Sequence, residues 1–107
     1  MSVTEKRKPT HDLKSIKTIF SSVKDLKATG SALKGAASLG FESHDIVEVI
    51  QSMEHHHFRK SMTSYADHRV WQDVYHVPSG QRTLYVKFTS DDVTEFLLLS
   101  FKEEGDG

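Results

Sequence analysis

WQDVYHVPSGQRTLYVKFT, residues 71–89, contains two segments of alternating polar and apolar residues with one turn between them. The period-2 patterns over Trp71–Val77 and Thr83–Thr89 predict two β-strands rich in aromatic and β-branched residues. Pro78-Ser79-Gly80 predicts a turn between them. A connection this short requires the two strands to run antiparallel.

Two further segments extend this hairpin. Phe58–Tyr65 precedes it and Phe96–Lys102 follows it, each with the same alternation. Ser90-Asp91-Asp92 predicts the turn before the last segment. The C-terminal half therefore predicts a meander of four antiparallel strands.

The N-terminal half repeats its apolar residues at helical spacing. We expect a first amphipathic helix from His11 to Leu26 and a third from Ser43 to Met53. The second begins at Thr29, a good N-cap, and ends at Gly40, which favours the left-handed conformation of a helix end. Helices followed by a meander predict an α+β fold, with three N-terminal helices packed on one face of an antiparallel β-sheet.

Length and composition limit the possible classes of protein. The 107 residues predict a single domain, 1–107, with flexible tails at 1–9 and 104–107. Without cysteine, neither a disulfide framework nor a thiolate zinc site is possible. The sequence has no signal-peptide core and no apolar run that could span a bilayer, so we expect a soluble, cytoplasmic protein without membrane contacts.

Alternation also predicts which side chains share a face of the sheet. We expect the helices to cover Leu84, Val86 and Phe88, together with Leu97, Leu99 and Phe101, and we expect Trp71 in the core as well. The opposite face, called the polar face below, should carry Lys60, Gln72, Tyr85, Lys87, Ser100 and Lys102.

The lysines and the tyrosine of the polar face fit the chemistry of RNA cleavage. A 2′-OH that attacks its own phosphate needs a base, an acid for the leaving 5′-oxygen, and cations that stabilise the phosphorane. Flanking ammonium groups should also lower the pKa of Tyr85. Lysines and a tyrosine can do this without a metal, although a solvated strand face would look the same. Tyr65 is a second candidate for an exposed role.

Other clusters suggest chemistry more weakly. The run His55-His56-His57 predicts a solvated helix-to-strand junction, because consecutive side chains diverge and cannot converge on one metal ion. Asp67-His68 and Asp73 are typical of hydrolases, but no strained nucleophile turn accompanies them.

The segment KSMTSYADHRVWQDVY, residues 60–75, resembles the K-S-M-T-x-Y-x-D-H-x-x-W-Q-D-V-Y block of the motility quorum-sensing regulator (MqsR) toxin family. The resemblance continues through the TGSAL segment, the LGF helix end, the glycine turn before LYVKF and the terminal SFKE. It covers the chain from Lys6 to Glu103. The connection Ser90–Thr94 is longer than the family pattern.

This resemblance implies a RelE-like toxin of a type II toxin–antitoxin system. Its activity would be metal-independent and ribosome-independent cleavage of single-stranded mRNA at short GCU-like sites, causing growth arrest. The implied partners are mRNA and a cognate antitoxin protein, with DNA bound only through the antitoxin complex. No cofactor is implied.

The resemblance also implies the site residues. Tyr85 is the candidate general acid or base, Lys60 and Lys102 would stabilise the phosphorane, and Gln72 would orient phosphate or base. The candidate catalytic residues are thus Lys60, Gln72, Tyr85 and Lys102, and the candidate RNA-binding residues are Lys87, Tyr65 and His68.

Two other functions compete with this one. A non-catalytic RNA- or antitoxin-binding module could use the same fold, since fold alone does not determine activity. A DNA-binding regulator would need a basic recognition helix. The predicted helix Ser43–Met53 instead contains Asp45 and Glu48 with no Lys or Arg.

Overall fold

The strands form one antiparallel sheet in chain order, β1-β2-β3-β4-β5, and the helices precede all strands but the first. The computed structural model describes residues 4–91 and 95–105. The α+β fold and its antiparallel meander are confirmed. Within the described residues the elements are β1 Glu5–Lys6, α1 Leu13–Ile19, α2 Gly30–Ser38, α3 Ser43–Ser52, β2 Phe58–Thr63, β3 Trp71–Ser79, β4 Arg82–Asp91 and β5 Glu95–Glu103.

Within residues 4–9, where the sequence predicts a tail, the chain forms the short strand β1. Glu5 pairs with Met62 and Lys6 with Ser61 on β2. The buried carboxylate of Asp73 accepts the backbone N–H groups of Thr10 and His11 at 2.8–3.1 Å. Because a buried carboxylate requires such donors, it fixes the N-terminal segment against the sheet.

The first helix is much shorter than predicted. Asp12 accepts the N–H of Ser15 at 3.0 Å and so caps α1 before Leu13. The helix ends at Ile19, and a separate 3₁₀ turn, Val23–Asp25, follows. There the hydroxyl of Ser22 donates to the carboxylate of Asp25 at 2.9 Å, which is a local alternative to continued helix.

The second and third helices begin and end close to the predicted residues. Thr29 caps α2 by accepting the N–H of Ala32, and Gly40 follows with a φ of +84°. The N–H of Phe41 then donates to the carbonyl of Ala36 at 2.9 Å, closing the helix end. The helix α3 ends at Ser52.

The core lies between the helices and one face of the sheet, called the helix face below. Leu84, Val86 and Phe88 are buried there, as predicted. The helix α2 approaches β5 so closely that a Cβ on Gly35 would collide with the carbonyl oxygen of Phe101. Gly35 therefore allows a contact between helix and strand that a side chain would prevent.

A β-bulge in β5 overturns part of the predicted core. Lys87 pairs with Ser100, but its neighbour Phe88 pairs with Leu98, so Leu99 is an extra residue. Leu98 is consequently fully buried opposite Phe88. Leu97 and Leu99, expected in the core, are only half-buried. Alternation fails here because the extra residue shifts the residues before it, Leu97 and Leu98, to the opposite faces of the sheet.

A second bulge, in β2, determines where Lys60 points. Phe58 pairs with Tyr75 and Lys60 with Val74, which leaves Arg59 as the extra residue. Phe58 therefore packs its ring edge-on against Tyr75 on the helix face, with ring centroids 5.6 Å apart. Lys60 lies on the polar face although strict alternation would place it with Phe58.

The strand ends differ from the prediction in three places. The strand β2 ends at Thr63 rather than at Tyr65, and the turn between β3 and β4 falls at residues 80–81, after Pro78 and Ser79. The strand β4 extends through Asp91. The rest of the predicted turn Ser90-Asp91-Asp92 lies outside the described residues.

Trp71 does not belong to the buried core, contrary to the prediction. It begins β3 and is half-buried, with the Nζ of Lys6 at 4.1 Å from the ring centroid. The buried aromatic residue of this strand is Tyr75. The contact with Lys6, from the edge strand β1, is a cation–π interaction with the ring.

Within residues 4–91 and 95–105, no helix is long and apolar enough to span a membrane.

Candidate active site

The register of the strands arranges the polar face in rows across the sheet. His76 pairs with Tyr85, which pairs in turn with Lys102. The next row reads Lys60, Val74, Lys87 and Ser100. A third row reads Met62, Gln72, Thr89 and Leu97. Because cross-strand neighbours lie close together, the first two rows bring the predicted lysines and tyrosine into one area.

A cavity of about 470 Å³ opens over the first row. Lys60, Tyr85 and Lys102, which sequence reasoning selected, all line it. The Nζ of Lys102 lies 5.3 Å from the centroid of the Tyr85 ring. The other lining residues are Glu5, Arg7, Arg59, His76, Glu104 and Gly105. The cationic residues Arg7, Arg59, Lys60 and Lys102 make the cavity suitable for an anion.

Lys60 has an acidic partner in this structure. Its Nζ donates to the Oε2 of Glu5 at 2.8 Å, and the Lys60 side chain is 33% exposed. The hydrogen bond and the charge of Lys60 lower the pKa of Glu5. Because Glu5 belongs to the edge strand β1, the fixed N-terminal segment sets the position of this ion pair.

The phenol of Tyr85 behaves differently from the prediction. Its half-burial raises its pKa, and the charge of Lys60 opposes this only in part. The expected net lowering of the pKa by neighbouring ammonium groups is therefore wrong, because desolvation of the phenolate outweighs their attraction. Tyr85 keeps its proton at neutral pH and can serve as a proton donor.

Lys87 is half-buried in the second row and does not line the cavity. Burial lowers its pKa, and the charges of Lys102 and Lys60 lower it further. Val74, between Lys60 and Lys87 in the same row, is fully buried although it faces away from the helices. Lys87 is therefore close enough to Lys60 and Lys102 for their charges to repel one another.

Gln72 lies two rows from Tyr85 and does not line the cavity. It is half-buried opposite Met62 and Thr89. Two residues along a strand correspond to roughly 6.6 Å, so rows one and three are about 13 Å apart along β3. A role for Gln72 requires a ligand longer than one phosphate.

Tyr65 and His68 lie in the connection between β2 and β3, outside the cavity lining. The Tyr65 side chain is 81% exposed. Asp67 orders this connection by accepting the backbone N–H of Arg69 at 2.9 Å and its guanidinium at 3.1 Å. Tyr65 and His68 are therefore accessible to RNA. They lie in a loop, however, and not in the sheet that holds the first-row side chains.

His76 is a cavity residue that sequence reasoning missed. Its ring centroid lies 5.8 Å from that of Tyr85 on the neighbouring strand. The signal was present in the sequence, because alternation from Gln72 puts His76 on the polar face. The two-residue turn at 80–81 then pairs His76 with Tyr85.

The weaker clusters have structural roles. Asp73 is fully buried and bound to backbone N–H groups of the N-terminal segment, while Ser61 bonds Thr10 side chain to side chain at 2.6 Å. The His55–His57 run forms a 3₁₀ turn in which the Nδ1 of His57 accepts the N–H of Glu54. In the part of the chain that the structure describes, no group of three or more histidine or acidic residues could hold a metal ion.

Comparison with known proteins agrees with the resemblance seen in the sequence. The family model described as "Motility quorum-sensing regulator, toxin of MqsA" matches residues 8–103. The chain belongs to this family. It is also 36% identical to the mRNA interferase toxin MqsR of Escherichia coli (strain K12) over 100 residues, which cover 94% of this chain and 99% of that protein. The residues matched by the family model therefore include the strands from β2 to β5.

Proposed function

We propose that this protein is the toxin of a type II toxin–antitoxin system and an endoribonuclease that cleaves single-stranded mRNA. Membership of the MqsR family and the mRNA interferase named among its relatives support this proposal. The finer features are cleavage at short GCU-like sites, independence of the ribosome and of metal ions, and growth arrest. We expect the cognate antitoxin to neutralise the toxin and to supply any DNA contact.

The observation that carries the proposal is the convergence of Lys60, Tyr85 and Lys102 on one cavity. A phosphodiester is an anion whose negative charge increases as the phosphorane forms. Two ammonium groups in a partly desolvated cavity stabilise that charge more strongly than they would in open water. The protonated phenol beside them supplies a proton donor within the same space.

The proposed reaction is an in-line displacement at phosphorus. The 2′-oxygen loses its proton to a base and forms a bond to phosphorus, while the bond from phosphorus to the 5′-oxygen breaks. Tyr85 gives its proton to that 5′-oxygen. The products are a 2′,3′-cyclic phosphate and a 5′-hydroxyl end, and no redox step or metal-bound water is needed.

The remaining polar-face residues support a binding role for the rest of the RNA. Gln72, in the third row about 13 Å from the first along β3, would contact a phosphate or base beyond the cleaved linkage. Lys87 adds positive charge beneath the backbone. Tyr65 and His68 are exposed, and Tyr65 could stack on an unpaired base.

Cleavage of a defined single-stranded RNA in EDTA tests the proposal. We expect discrete fragments from the wild type, and a rate at least about 100-fold lower for Lys60→Ala. Lys34→Ala is the matched control, because Lys34 is exposed on α2 and does not line the cavity. Intact RNA from folded wild-type protein that still binds RNA would instead support the non-catalytic module.

A further inference from the structure

The polar-face cavity contains a second protonatable ring beside Tyr85. His76 and Tyr85 are direct cross-strand partners, and their ring centroids lie 5.8 Å apart at an interplanar angle of 48°. Both line the cavity with Lys60 and Lys102. During a displacement at phosphorus, one oxygen loses a proton and another gains one. Two protonatable groups side by side in one anion-binding cavity can serve one oxygen each.

RNA cleavage by 2′-OH attack needs a base as well as an acid, and the cavity offers few candidates. Glu5 is bound to Lys60 at 2.8 Å, and this contact lowers the pKa of its carboxyl group, which makes it a weak base. A protonated lysine has no lone pair to accept a proton. Among the described lining residues, His76 and Glu104 remain.

The surroundings of His76 favour a neutral ring. Burial lowers its pKa, and the charges of Arg59 and Lys60 lower it further, while Glu104 opposes them. A neutral imidazole carries one nitrogen with a free lone pair, so it accepts a proton at neutral pH. Glu104, by contrast, is exposed and lies beyond the end of β5.

We propose that His76 is a catalytic residue and acts as the general base of the RNA cleavage. It would take the proton from the 2′-OH as the 2′-oxygen bonds to phosphorus, while Tyr85 protonates the departing 5′-oxygen. The imidazole then carries one additional proton and the phenol has lost one, and exchange with water restores both. This inference deepens the proposed function and rests on it.

The placement is compatible with an in-line reaction. The attacking and leaving oxygens lie on opposite sides of the phosphorus, and each must come within about 2.6–3.2 Å of its proton-transfer partner. With ring centroids 5.8 Å apart, His76 and Tyr85 leave room for a phosphorus that presents one oxygen to each ring. Lys60 and Lys102, on the strands β2 and β5, would then lie on the side of the non-bridging oxygens.

The pH dependence of cleavage is the first test. As a base, His76 must be neutral, and its lowered pKa puts the acid limb of the rate below the usual value of about 6.5. Tyr85 must be protonated, and its raised pKa puts the alkaline limb above about 10. The charged and titratable groups around His76 are Tyr85 on β4, Lys102 on β5, Glu104 after it, Arg59 and Lys60 on β2, and Glu5 and Arg7 in the N-terminal segment.

We expect His76→Gln to lower the rate by about 100-fold and to abolish the acid limb. Added imidazole should restore activity to His76→Ala, which a purely structural histidine would not allow. His44→Gln on α3 is the control, because His44 is exposed and does not line this cavity. An unchanged acid limb in His76→Gln would overturn the proposal.

A modified RNA separates the base from the acid. A sulfur in place of the 5′-oxygen leaves without needing a proton, so it makes the general acid unnecessary. We expect this substrate to restore cleavage by Tyr85→Phe but not by His76→Gln. Restoration in His76→Gln alone would reverse the assignment and refute it.

The outcomes also separate this inference from the proposed function. If the wild type does not cleave RNA, the proposed function fails and the role of His76 fails with it. If the wild type cleaves and Lys60→Ala does not, but His76→Gln is fully active, only the inference about His76 is wrong.

Discussion

Each face of the sheet carries one tyrosine on a central strand, and burial raises the pKa of both. Tyr75 on β3 points into the helix face, where its pKa rises to about 12. Among the residues the structure describes, its buried hydroxyl has no hydrogen-bond partner. Tyr85 on β4 points into the cavity of the polar face, beside Lys102 and His76. The same desolvation therefore acts on two phenols with different access to a ligand.

This difference shows what each face does. On the helix face the aromatic ring is packed and the hydroxyl contributes nothing favourable, since a buried donor without a partner costs free energy. On the polar face the hydroxyl is next to cations and an open volume, so keeping its proton makes it useful. A raised pKa alone identifies neither role. Tyr75 also lines a cavity, of about 320 Å³, so the full burial of Tyr75 and the cations beside Tyr85 distinguish the two phenols.

Removing each hydroxyl in turn should affect activity through Tyr85 and stability through Tyr75. We expect Tyr85→Phe to lower the rate of RNA cleavage by about 100-fold or more with little change in stability. Tyr75→Phe should leave the rate unchanged and raise the free energy of unfolding by up to about 1 kcal/mol, because an unpaired buried hydroxyl is lost. Single-turnover cleavage and urea denaturation measure the two effects. Equal loss of activity in both variants would contradict the division between the faces.

The buried carboxylate of Asp73 should have the largest effect on stability. Asp73→Ala leaves the N–H groups of Thr10 and His11 without their acceptor, so we expect the free energy of unfolding to fall by about 2–4 kcal/mol. Urea denaturation measures it, with Glu48→Ala on the exposed side of α3 as the control. A loss as small as that of the control would show that Asp73 does not hold the N-terminal segment.

The contact between α2 and β5 gives a smaller effect. Gly35→Ala should lower the free energy of unfolding by about 1–3 kcal/mol, because the new Cβ meets the carbonyl oxygen of Phe101. In Gly30→Ala the Cβ has open space, and the better helix former should be neutral or stabilising by up to about 1 kcal/mol. Thermal unfolding compares them. Equal stability changes would show that α2 can move away from β5 without cost.

The ion pair between Glu5 and Lys60 gives the smallest expected effect. Glu5→Gln frees Lys60 for phosphate, and we expect RNA binding at low salt to become at most about fivefold tighter. The gain should shrink as salt increases, since the pair is exposed. Fluorescence anisotropy with a labelled RNA measures it, and weaker binding would indicate that Glu5 helps to position Lys60.

The fold could be predicted well where one rule acts along a whole element. Alternation correctly predicts that Leu84, Val86 and Phe88 face the helices. Thr29 and Gly40 also mark the two ends of α2 as expected. The first helix is predicted too long because Val23 matches the helical period. In the structure Val23 is exposed in a 3₁₀ turn. A local hydrogen bond from Ser22 to Asp25 stabilises the 3₁₀ turn there, and hydrophobic periodicity gives no information about such a bond.

The arrangement of the strands around the candidate site depends on two β-bulges, which the alternation of polar and apolar residues does not predict. The bulge at Arg59 places Lys60 on the polar face. The bulge at Leu99 places Leu98 in the core instead of Leu97 and Leu99. The family resemblance pointed to Lys60 and Lys102 without needing either bulge. His76 lies outside the residues that the resemblance implied, so alternation along β3 together with the pairing of His76 with Tyr85 identifies it.

Whether the polar face performs 2′-OH chemistry can be measured with one RNA and the same RNA carrying a single 2′-deoxy nucleotide at the cleaved position. If the polar face performs 2′-OH chemistry, the all-RNA strand gives a 2′,3′-cyclic phosphate and a 5′-hydroxyl end in EDTA, and the modified strand stays intact there. Cleavage of both strands at the same position would show that water or another nucleophile attacks the phosphate. That result would contradict the mechanism assigned to Lys60, Tyr85 and Lys102.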